Sequence, residues 1–279
     1  MTMNLTNTAR VRVAHRIKSN SKFGTKFGTM QFGIIACLAV LVAACGTKDA
    51  ADPLSPSGAQ GRVRFVNVIT DTTKGRVNAI LEKLPFGVNL TYTQSTPASL
   101  PAPSTALYSA ILSGSRSLVL KRTADTNTTV ATITFTVSDN QDRTAYAIGG
   151  AAGTAVSSFL TTDDNALPAS GQAKLRVVHL SPTAGAVDVF VTAVGADLSA
   201  ASPTLSGVAY QTASTYLTVV AGTYQVRVVP AGTAAAARAG AVVINVASLA
   251  LAAGSGRTIV AADNSIGGAP LRAFVLSDQ

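Results

Sequence analysis

The hydrophobic pattern beyond residue 60 consists of short apolar runs separated by glycine, proline, serine, threonine and asparagine. In residues 223–229, Tyr224, Val226 and Val228 alternate with polar residues, as in a strand with one buried face. Short runs that are rich in β-branched residues and bounded by turn formers are typical of strands. The pattern therefore predicts an all-β fold. We interpret the alanine-rich residues 234–237 as a loop, because glycines and a threonine surround them.

The same order of apolar segments occurs twice in this region. The aligned segments are residues 61–68 with 173–180, 77–80 with 187–190, 86–92 with 206–210, 107–114 with 215–222, 132–137 with 242–247 and 143–147 with 257–261. Each half closes on an apolar run that leads into an aspartate, Asp163 or Asp278. About seven short strands in about 105 residues are typical of an immunoglobulin-like β-sandwich. We predict two tandem β-sandwich domains of this kind, over residues 61–166 and 172–279, with the boundary at residues 167–171.

The N-terminal segment has the pattern of a secretory signal peptide. Residues 1–44 contain six basic and no acidic residues, and residues 30–44 form an apolar run. A membrane-spanning helix needs about 20 apolar residues, so this run is too short to be a comfortable span. A basic segment followed by a short apolar core and small residues is typical of a signal peptide that is removed from the mature protein.

The end of the apolar run, Val42-Ala43-Ala44-Cys45, resembles the bacterial lipobox. The resemblance implies cleavage between Ala44 and Cys45 and attachment of lipid to Cys45, with palmitate-type acyl chains on its sulfur and on its new amine. Three acyl chains anchor a protein stably, since two already suffice. The alternative is an ordinary signal peptide that is cut after Ala44. Residues 45–60 are rich in Pro, Ser, Gly and Asp, and we predict that they form a flexible tether.

The charge of the whole chain gives a misleading picture of its partners. The net charge is +9, from 22 basic and 13 acidic residues. Removing the six basic residues of 1–44 leaves 16 basic against 13 acidic residues, a net charge of only +3. A nucleic-acid-binding protein needs a concentrated basic face, so we expect no nucleic-acid partner. The two cysteines, Cys37 and Cys45, both lie at the apolar run, so the sequence offers no disulfide framework.

Three segments of the second half carry a family resemblance. They are residues 175–182 (LRVVHLSP), 187–191 (VDVFV) and 216–224 (YLTVVAGTY). They resemble a family of bacterial envelope proteins that is known as a domain of unknown function, number 4397. The first half departs from the motif, with Asn67 in place of the histidine and Asn78 in place of the aspartate. The resemblance implies β-sandwich repeats, secretion and frequent lipid anchoring, and it implies no reaction.

His179, Ser181 and Asp188 lie close together in the sequence and suggest a catalytic triad. A triad needs a nucleophile that is held by a base beside an oxyanion site. Ser181 instead precedes a proline, in a turn without a Gly-x-Ser-x-Gly elbow. We therefore predict no catalytic residues and interpret His179 as a buried imidazole at a strand end that bonds its own turn.

The chain offers little for a metal or a cofactor, and we predict neither. His179 is the sole histidine after Cys45, which argues against a site with several histidine ligands. Asp163-Asp164-Asn165 supplies oxygens for calcium but lacks the spacing of a calcium loop, so we interpret it as a solvated strand end. Residues 149–153 are glycine-rich without the Lys-Ser/Thr of a phosphate loop, and we predict a hairpin connection there.

Aromatic residues give weak support for a sugar-binding face. The chain has no tryptophan. Its tyrosines fall at aligned positions of the two halves, in the pairs Tyr92 with Tyr210 and Tyr108 with Tyr216. We interpret these pairs as core residues.

The sequence favours a non-catalytic, lipid-anchored protein of the bacterial cell envelope, with the outer membrane as the expected location. Its two sandwiches would serve in binding, adhesion or structure, with an envelope protein or a glycan as partner. Two alternatives stay open. One is a periplasmic hydrolase that uses His179 and Asp188, and the other is a carrier of an apolar ligand.

The anchor can be tested by metabolic labelling with radioactive palmitate. We expect label on the wild-type protein and on a Cys37→Ala variant, because both retain the cysteine that follows the cleavage point. We expect no label on Cys45→Ala. Label on Cys45→Ala would show that Cys45 is not the attachment site.

Overall fold

The computed structural model describes residues 58–98 and 106–279, and nearly all of its regular structure is β. The first repeat contains β1 (Gln60–Ile69), β2 (Val77–Leu81), β3 (Leu84–Leu90), β4 (Ser95–Thr96), β5 (Ser109–Leu112), β6 (Gly114–Arg122), β7 (Asp125–Val137), β8 (Asp142–Gly149) and β9 (Val156–Asp163). The second contains β10 (Gln172–His179), β11 (Val187–Thr192), β12 (Leu205–Val208), β13 (Thr212–Ala213), β14 (Leu217–Val220), β15 (Gly222–Pro230), β16 (Ile244–Leu251), β17 (Gly256–Ala262) and β18 (Arg272–Ser277). Ala44 and Cys45 lie outside the described residues.

Each repeat is built from two sheets with the same topology. The inner sheets have the strand orders β4-β1-β8-β9 and β13-β10-β17-β18, with β5 also paired to β1 and β14 to β10. The outer sheets have the orders β3-β2-β6-β7 and β12-β11-β15-β16. In each inner sheet one pairing is parallel, β1 with β8 and β10 with β17. The predicted fold class, with two β-sandwiches, is confirmed.

The core of each sandwich lies between its inner and outer sheets. In the first repeat Phe65 of β1 packs in one buried cluster with Leu118 of β6 and Phe135 of β7. In the second, Val177 of β10 occupies the corresponding place, in one cluster with Val189 of β11. Side chains on alternate positions of β1 and β10 thus point into their own sandwich, as the sequence pattern predicts.

The other face of each inner sheet is buried as well. A third apolar cluster joins Val66, Val68, Tyr146 and Ile148 of the first repeat to Val178, Leu180, Val260, Ala262 and Leu276 of the second. The inner sheets therefore pack on each other, and the four sheets stack in the order outer, inner, inner, outer. We call this contact between the inner sheets the seam. Both faces of β1 and β10 are therefore covered, and nearly every residue of these two strands is buried, including the polar ones.

Two sequence expectations need correction. Residues 234–237, interpreted as a loop, belong in part to the 3₁₀ helix Ala235–Ala241. Arg238 holds this helix, because its guanidinium donates to the carbonyls of Leu198 and Ala201 (3.3 and 2.7 Å between Nη1 and each oxygen). In addition, each repeat has nine strands within the described residues rather than about seven. Two of the additional strands, β4 and β13, are only two residues long.

The glycine-rich residues 149–153 form the connection between the antiparallel strands β8 and β9, as predicted. Gly149 and Gly150 adopt positive φ angles of 85° and 89°, a conformation that glycine reaches without a steric penalty. No helix in the part of the chain that the structure describes is long and apolar enough to cross a membrane.

Candidate functional site at the seam

A buried ionic network crosses the seam, and its first half begins at Arg64 on β1. The Arg64 side chain points away from its own core, and its Nη2 donates to Oδ1 of Asp278 in the other repeat at 2.8 Å. Nη1 of Arg64 also donates to the Ser277 carbonyl at 2.7 Å. The carboxylate of Asp163, in the same repeat as Arg64, is farther away, at 3.8 Å. Arg64 is therefore paired mainly with the second repeat.

In the second half of the network the two repeats exchange roles, and the second repeat supplies the arginine. Nη2 of Arg176 on β10 donates to Oδ1 of Asp163 in the first repeat at 2.5 Å. Its Nη1 donates to the Thr162 carbonyl at 3.2 Å. Each repeat thus gives one arginine to the other repeat and receives one in return. Such reciprocal contacts are the pattern of an isologous interface, here formed within one chain.

A threonine and a tyrosine complete each half of the network. Asp163 accepts bonds from Thr144 and from the Tyr108 hydroxyl, while Asp278 accepts bonds from Thr258 and from the Tyr216 hydroxyl. The arginines lie over the tyrosine rings, with Arg64 4.6 Å from the Tyr108 centroid and Arg176 4.8 Å from that of Tyr216. All four residue types, Arg, Tyr, Thr and Asp, stand at aligned positions of the two repeats.

The network is almost fully shielded from water. Burial alone would lower the pKa of each arginine, but neighbouring tyrosines and aspartates raise the pKa of both above its ordinary value. The network therefore keeps both arginines charged. Burial raises the pKa of Tyr146, which lies among these charges, to about 12. The neutral Tyr146 hydroxyl beside them has no hydrogen-bond partner among the described residues.

His179 behaves as expected. It ends β10, is fully buried, and its Nε2 lies 2.7 Å from the Gly185 carbonyl in the turn that follows. Its Nδ1 accepts from the Ser181 backbone at 3.4 Å. Asn67 makes equivalent bonds in the first repeat, from its amide to the Gly75 carbonyl and from the Ile69 backbone to its own carbonyl oxygen. The imidazole and the amide therefore have the same structural role.

The structure does not assemble a triad from the other two residues. Asp188 accepts bonds from the backbone N–H groups of Gly207 (2.8 Å) and Gly232 (3.2 Å). The Ser181 hydroxyl donates to Asp263. Neither the serine nor the aspartate is bonded to His179 through its side chain, so the base–nucleophile contact that a triad requires is missing among the three.

Two other sequence interpretations are wrong because of the seam. Asp163 is not a solvated strand end, since it is buried against Arg176, although Asp164 beside it is exposed and pairs with Lys174 at 3.0 Å. The aligned tyrosines lie at the seam rather than within the sandwich cores, with Tyr92 and Tyr210 in the apolar cluster and Tyr108 and Tyr216 in the network. Within residues 58–98 and 106–279, no three His, Cys, Asp or Glu side chains are grouped to hold a metal.

An open cleft of about 710 Å³ lies beside the network. One wall is the second half of β9, from Phe159 onwards, and the other is the segment 211–216, which ends at Tyr216. The lining mixes apolar side chains with threonine, serine and glutamine side chains, and it includes the charged groups of Asp163, Asp164 and Arg176. We call it the seam cleft.

One wall of the seam cleft is the edge of a sheet. Among the described residues β9 pairs only with β8, so the backbone groups on its other side have no strand partner. The Thr162 carbonyl points to that side, because it accepts from Arg176 across the seam. Strand alternation then directs the backbone groups of Ser158 and Leu160 to the same side. The sequence pattern alone does not reveal this edge, since it depends on the sheet order.

The family comparison agrees with the duplicated architecture. The model of the family described as "Domain of unknown function (DUF4397)" matches residues 61–190 and 192–279. The chain belongs to this family. The two matches cover both repeats of this DUF4397 protein, and no curated protein matches its sequence.

Several solved structures are weakly similar. Family 41 carbohydrate-binding modules from streptococcal virulence factors, solved for alpha-glucan recognition, share 10% identity and a TM-score of 0.23, covering 78% of this chain and 97% of theirs. A structure on alpha-glucan binding by a streptococcal virulence factor gives 10% and 0.22, covering 75% and 94%. A leucine-rich repeat protein from Bacteroides thetaiotaomicron VPI-5482 gives 13% and 0.17, covering 74% and 26%. Similarities at this level assign no ligand.

The network makes the seam sensitive to loss of one charge. We expect Arg176→Met to lower the free energy of unfolding by about 3–5 kcal/mol, because the buried Asp163 would lose its direct ion pair and keep only Arg64, 3.8 Å away. The double variant Arg176→Met, Asp163→Leu should recover a large part of this loss. Arg62→Met is the matched control, since the Arg62 side chain is 52% exposed in its pair with Asp142. Its effect should stay within about 1 kcal/mol. Urea unfolding measures all three, and equal effects of Arg176→Met and Arg62→Met would contradict the prediction.

The raised pKa of Tyr146 predicts that the folded protein becomes less stable at alkaline pH. Its pKa is about 12 in the folded protein, against about 10 for a free tyrosine, so between these values the unfolded chain loses a proton that the folded chain keeps. Tyr146 should therefore contribute a fall in stability of about 1.4 kcal/mol per pH unit as pH rises through this window. The pKa values of Tyr92, Tyr108, Tyr210 and Tyr216 are raised as well, so Tyr146→Phe should reduce the total slope by that amount, while Tyr224→Phe should leave it unchanged. The proposal for Tyr146 fails if urea unfolding between pH 9 and 12 gives both variants the same slope.

Proposed function

We propose that this DUF4397 protein is a non-catalytic, lipid-anchored component of the bacterial cell envelope that binds a partner protein in the seam cleft. In this proposal Cys45 carries the lipid, and the outer membrane is the membrane that holds it. The two repeats act as one rigid module, because each inner sheet covers the second face of the other.

Binding is favoured over catalysis by the state of the polar groups. The side chains of His179, Ser181 and Asp188 are each engaged in bonds that hold a turn or a strand end. The charges of the seam network are paired with each other. A hydrolase that uses His179 would need an imidazole that can face a substrate. The His179 ring is instead held in its turn by bonds equivalent to those of Asn67 in the first repeat.

The observation that carries the proposal is the unpaired edge of β9 along an open cleft. Backbone N–H and C=O groups that point outward from an edge strand pair readily with an extended peptide, which joins the sheet as a further strand. Phe159 and Tyr216 would then contact alternate side chains of that peptide. A glycan could hydrogen-bond to the threonine hydroxyls of the cleft, but it would leave the strand edge unpaired. We therefore favour a peptide segment of an envelope protein.

The apolar clusters give no reason to prefer a carrier of an apolar ligand. The buried residues of both sandwich cores pack side chain against side chain, with exposures of 0–8%. The seam cleft, by contrast, opens to solvent, and charged side chains (Asp163, Asp164 and Arg176) stand among its lining residues.

The strand edge can be tested with proline. Thr162→Pro removes an outward N–H from β9 and keeps the carbonyl that Arg176 needs, so the fold should persist, as prolines are tolerated at sheet edges. Ser277→Pro is the matched control, because the Ser277 carbonyl accepts from Arg64 in the equivalent place on β18. We expect Thr162→Pro to lose about ten-fold or more of the protein captured by cross-linking in intact envelopes, and Ser277→Pro to retain it.

The same experiment separates the competing functions. Equal capture by Thr162→Pro and the wild type would contradict binding at β9. Recovery of glycan without protein would assign the cleft to a carbohydrate instead. Loss of capture in Cys45→Ala alone would show that the anchor, and not the cleft, determines the association.

A further inference from the structure

An apolar groove opens on the first repeat, between the edge strand β3 and the strand β5. Its volume is about 380 Å³. Leu81, Phe86 and Ile111 form its buried floor, and Leu84, Pro85, Ala110 and Leu112 form its exposed rim. Leu84 is 68% exposed and Leu112 36% exposed. Large apolar side chains that share a rim in this way are typical of an interaction surface.

The groove lies where the chain enters the folded repeat. Gln60, the first residue of β1, pairs with Leu112. Gly58 lies against the same side chain, since a Cβ at Gly58 would stand 3.3 Å from Leu112 Cδ2. Twelve residues lie between Cys45 and Gly58, so the two can be at most about 45 Å apart when the chain is fully extended. A lipid on Cys45 would therefore keep the groove close to a bilayer.

The charges around the groove suit a membrane surface. Lys83 is exposed at the turn beside Leu84, and Arg116 lines the groove while its guanidinium donates to the carbonyls of Leu112 and Ser113. The one acid in the lining, Glu82, accepts from the backbone N–H of Ser117 at 2.6 Å. Basic side chains beside exposed leucines are the combination that binds the interface of a bilayer with anionic headgroups.

We propose that the apolar groove docks on the bilayer that holds Cys45, so that the rim of the first repeat enters the membrane interface. The proposal rests on the anchored location proposed above. A few exposed leucines bind a bilayer weakly by themselves. The anchor compensates for this weakness, because it raises the effective concentration of the bilayer at the groove. Docking then fixes the orientation of the whole module on the membrane.

The chain lends itself to a direct test, because it contains no tryptophan and Cys45 is the sole cysteine of residues 45–279. Because the chain has no other tryptophan, the fluorescence of one introduced into residues 45–279 reports on the surroundings of that residue alone. In protein that is produced without residues 1–44, Cys45 keeps its thiol and reacts with a maleimide phospholipid, so this attachment does not depend on lipidation in cells. Failure of palmitate labelling would thus refute the proposed anchor in cells, while the docking of the groove is measured separately.

The probe is Leu84→Trp, and the matched control is Ile266→Trp. Ile266 is 66% exposed, and its neighbour Gly267 lies near Thr70, beyond the far end of β1. Since β1 has ten residues, this end is about 30 Å from Gln60. Both proteins are coupled through Cys45 to vesicles of phosphatidylethanolamine and phosphatidylglycerol that contain brominated lipid.

We expect a blue shift of the Leu84→Trp emission and quenching of about two-fold by the brominated lipid, with no change for Ile266→Trp. Adding Leu112→Asp to the Leu84→Trp protein should abolish the quenching. Equal responses of the two tryptophans, or an unchanged Leu84→Trp spectrum on coupled vesicles, would overturn the proposal. A blue shift without lipid that grows with protein concentration would instead assign the groove to a second copy of the chain.

Discussion

The exchange of one arginine and one aspartate between the repeats is the constraint on which the rest of the structure depends. Arg64 reaches Asp278 at 2.8 Å, but the aspartate of its own repeat at only 3.8 Å. An arginine and an aspartate buried in an apolar contact are tolerated only when paired, because removing charges from water costs several kcal/mol per ion. Neither repeat supplies that pairing for itself. The two sandwiches therefore form one unit, with both faces of each inner sheet covered.

This arrangement explains how the proposed surfaces keep their positions. The seam cleft has one wall from each repeat, so it exists only while the repeats stay in register. The apolar groove lies on the first repeat alone, next to the point where the chain enters β1. Under these proposals, the contacts across the seam would fix the direction of the cleft once the groove has set the orientation of the first repeat.

Much of this fold could be predicted from the sequence, and the reasons for the remainder are physical. Strand alternation and internal repetition were sufficient for the all-β class, the duplication and the role of His179. They could not reveal that Asp163 is buried, because its partner Arg176 belongs to the next repeat and periodicity carries no information on contacts between sheets. A signal was nevertheless present. Each half has an arginine inside an apolar strand, and each half has a threonine, a tyrosine and an aspartate at aligned positions. This repetition indicates the same polar network in both halves. The cleft and the groove depend on sheet order and could not be predicted. The role of Cys45 remains a prediction from its motif.

The most direct test of the seam is whether a defect in one repeat destabilises the other. Leu118 is fully buried in the core of the first repeat, and Leu118→Ala should cost about 2–5 kcal/mol. Native-state hydrogen exchange, read by mass spectrometry, then compares peptides from β6 with peptides from β11 and β15 in the second repeat. If the seam joins the repeats into one cooperative unit, the free energy of opening should fall by the same amount for the slowest-exchanging amides of both repeats. Loss of protection in the first repeat alone would show that the sandwiches unfold independently and would contradict this account.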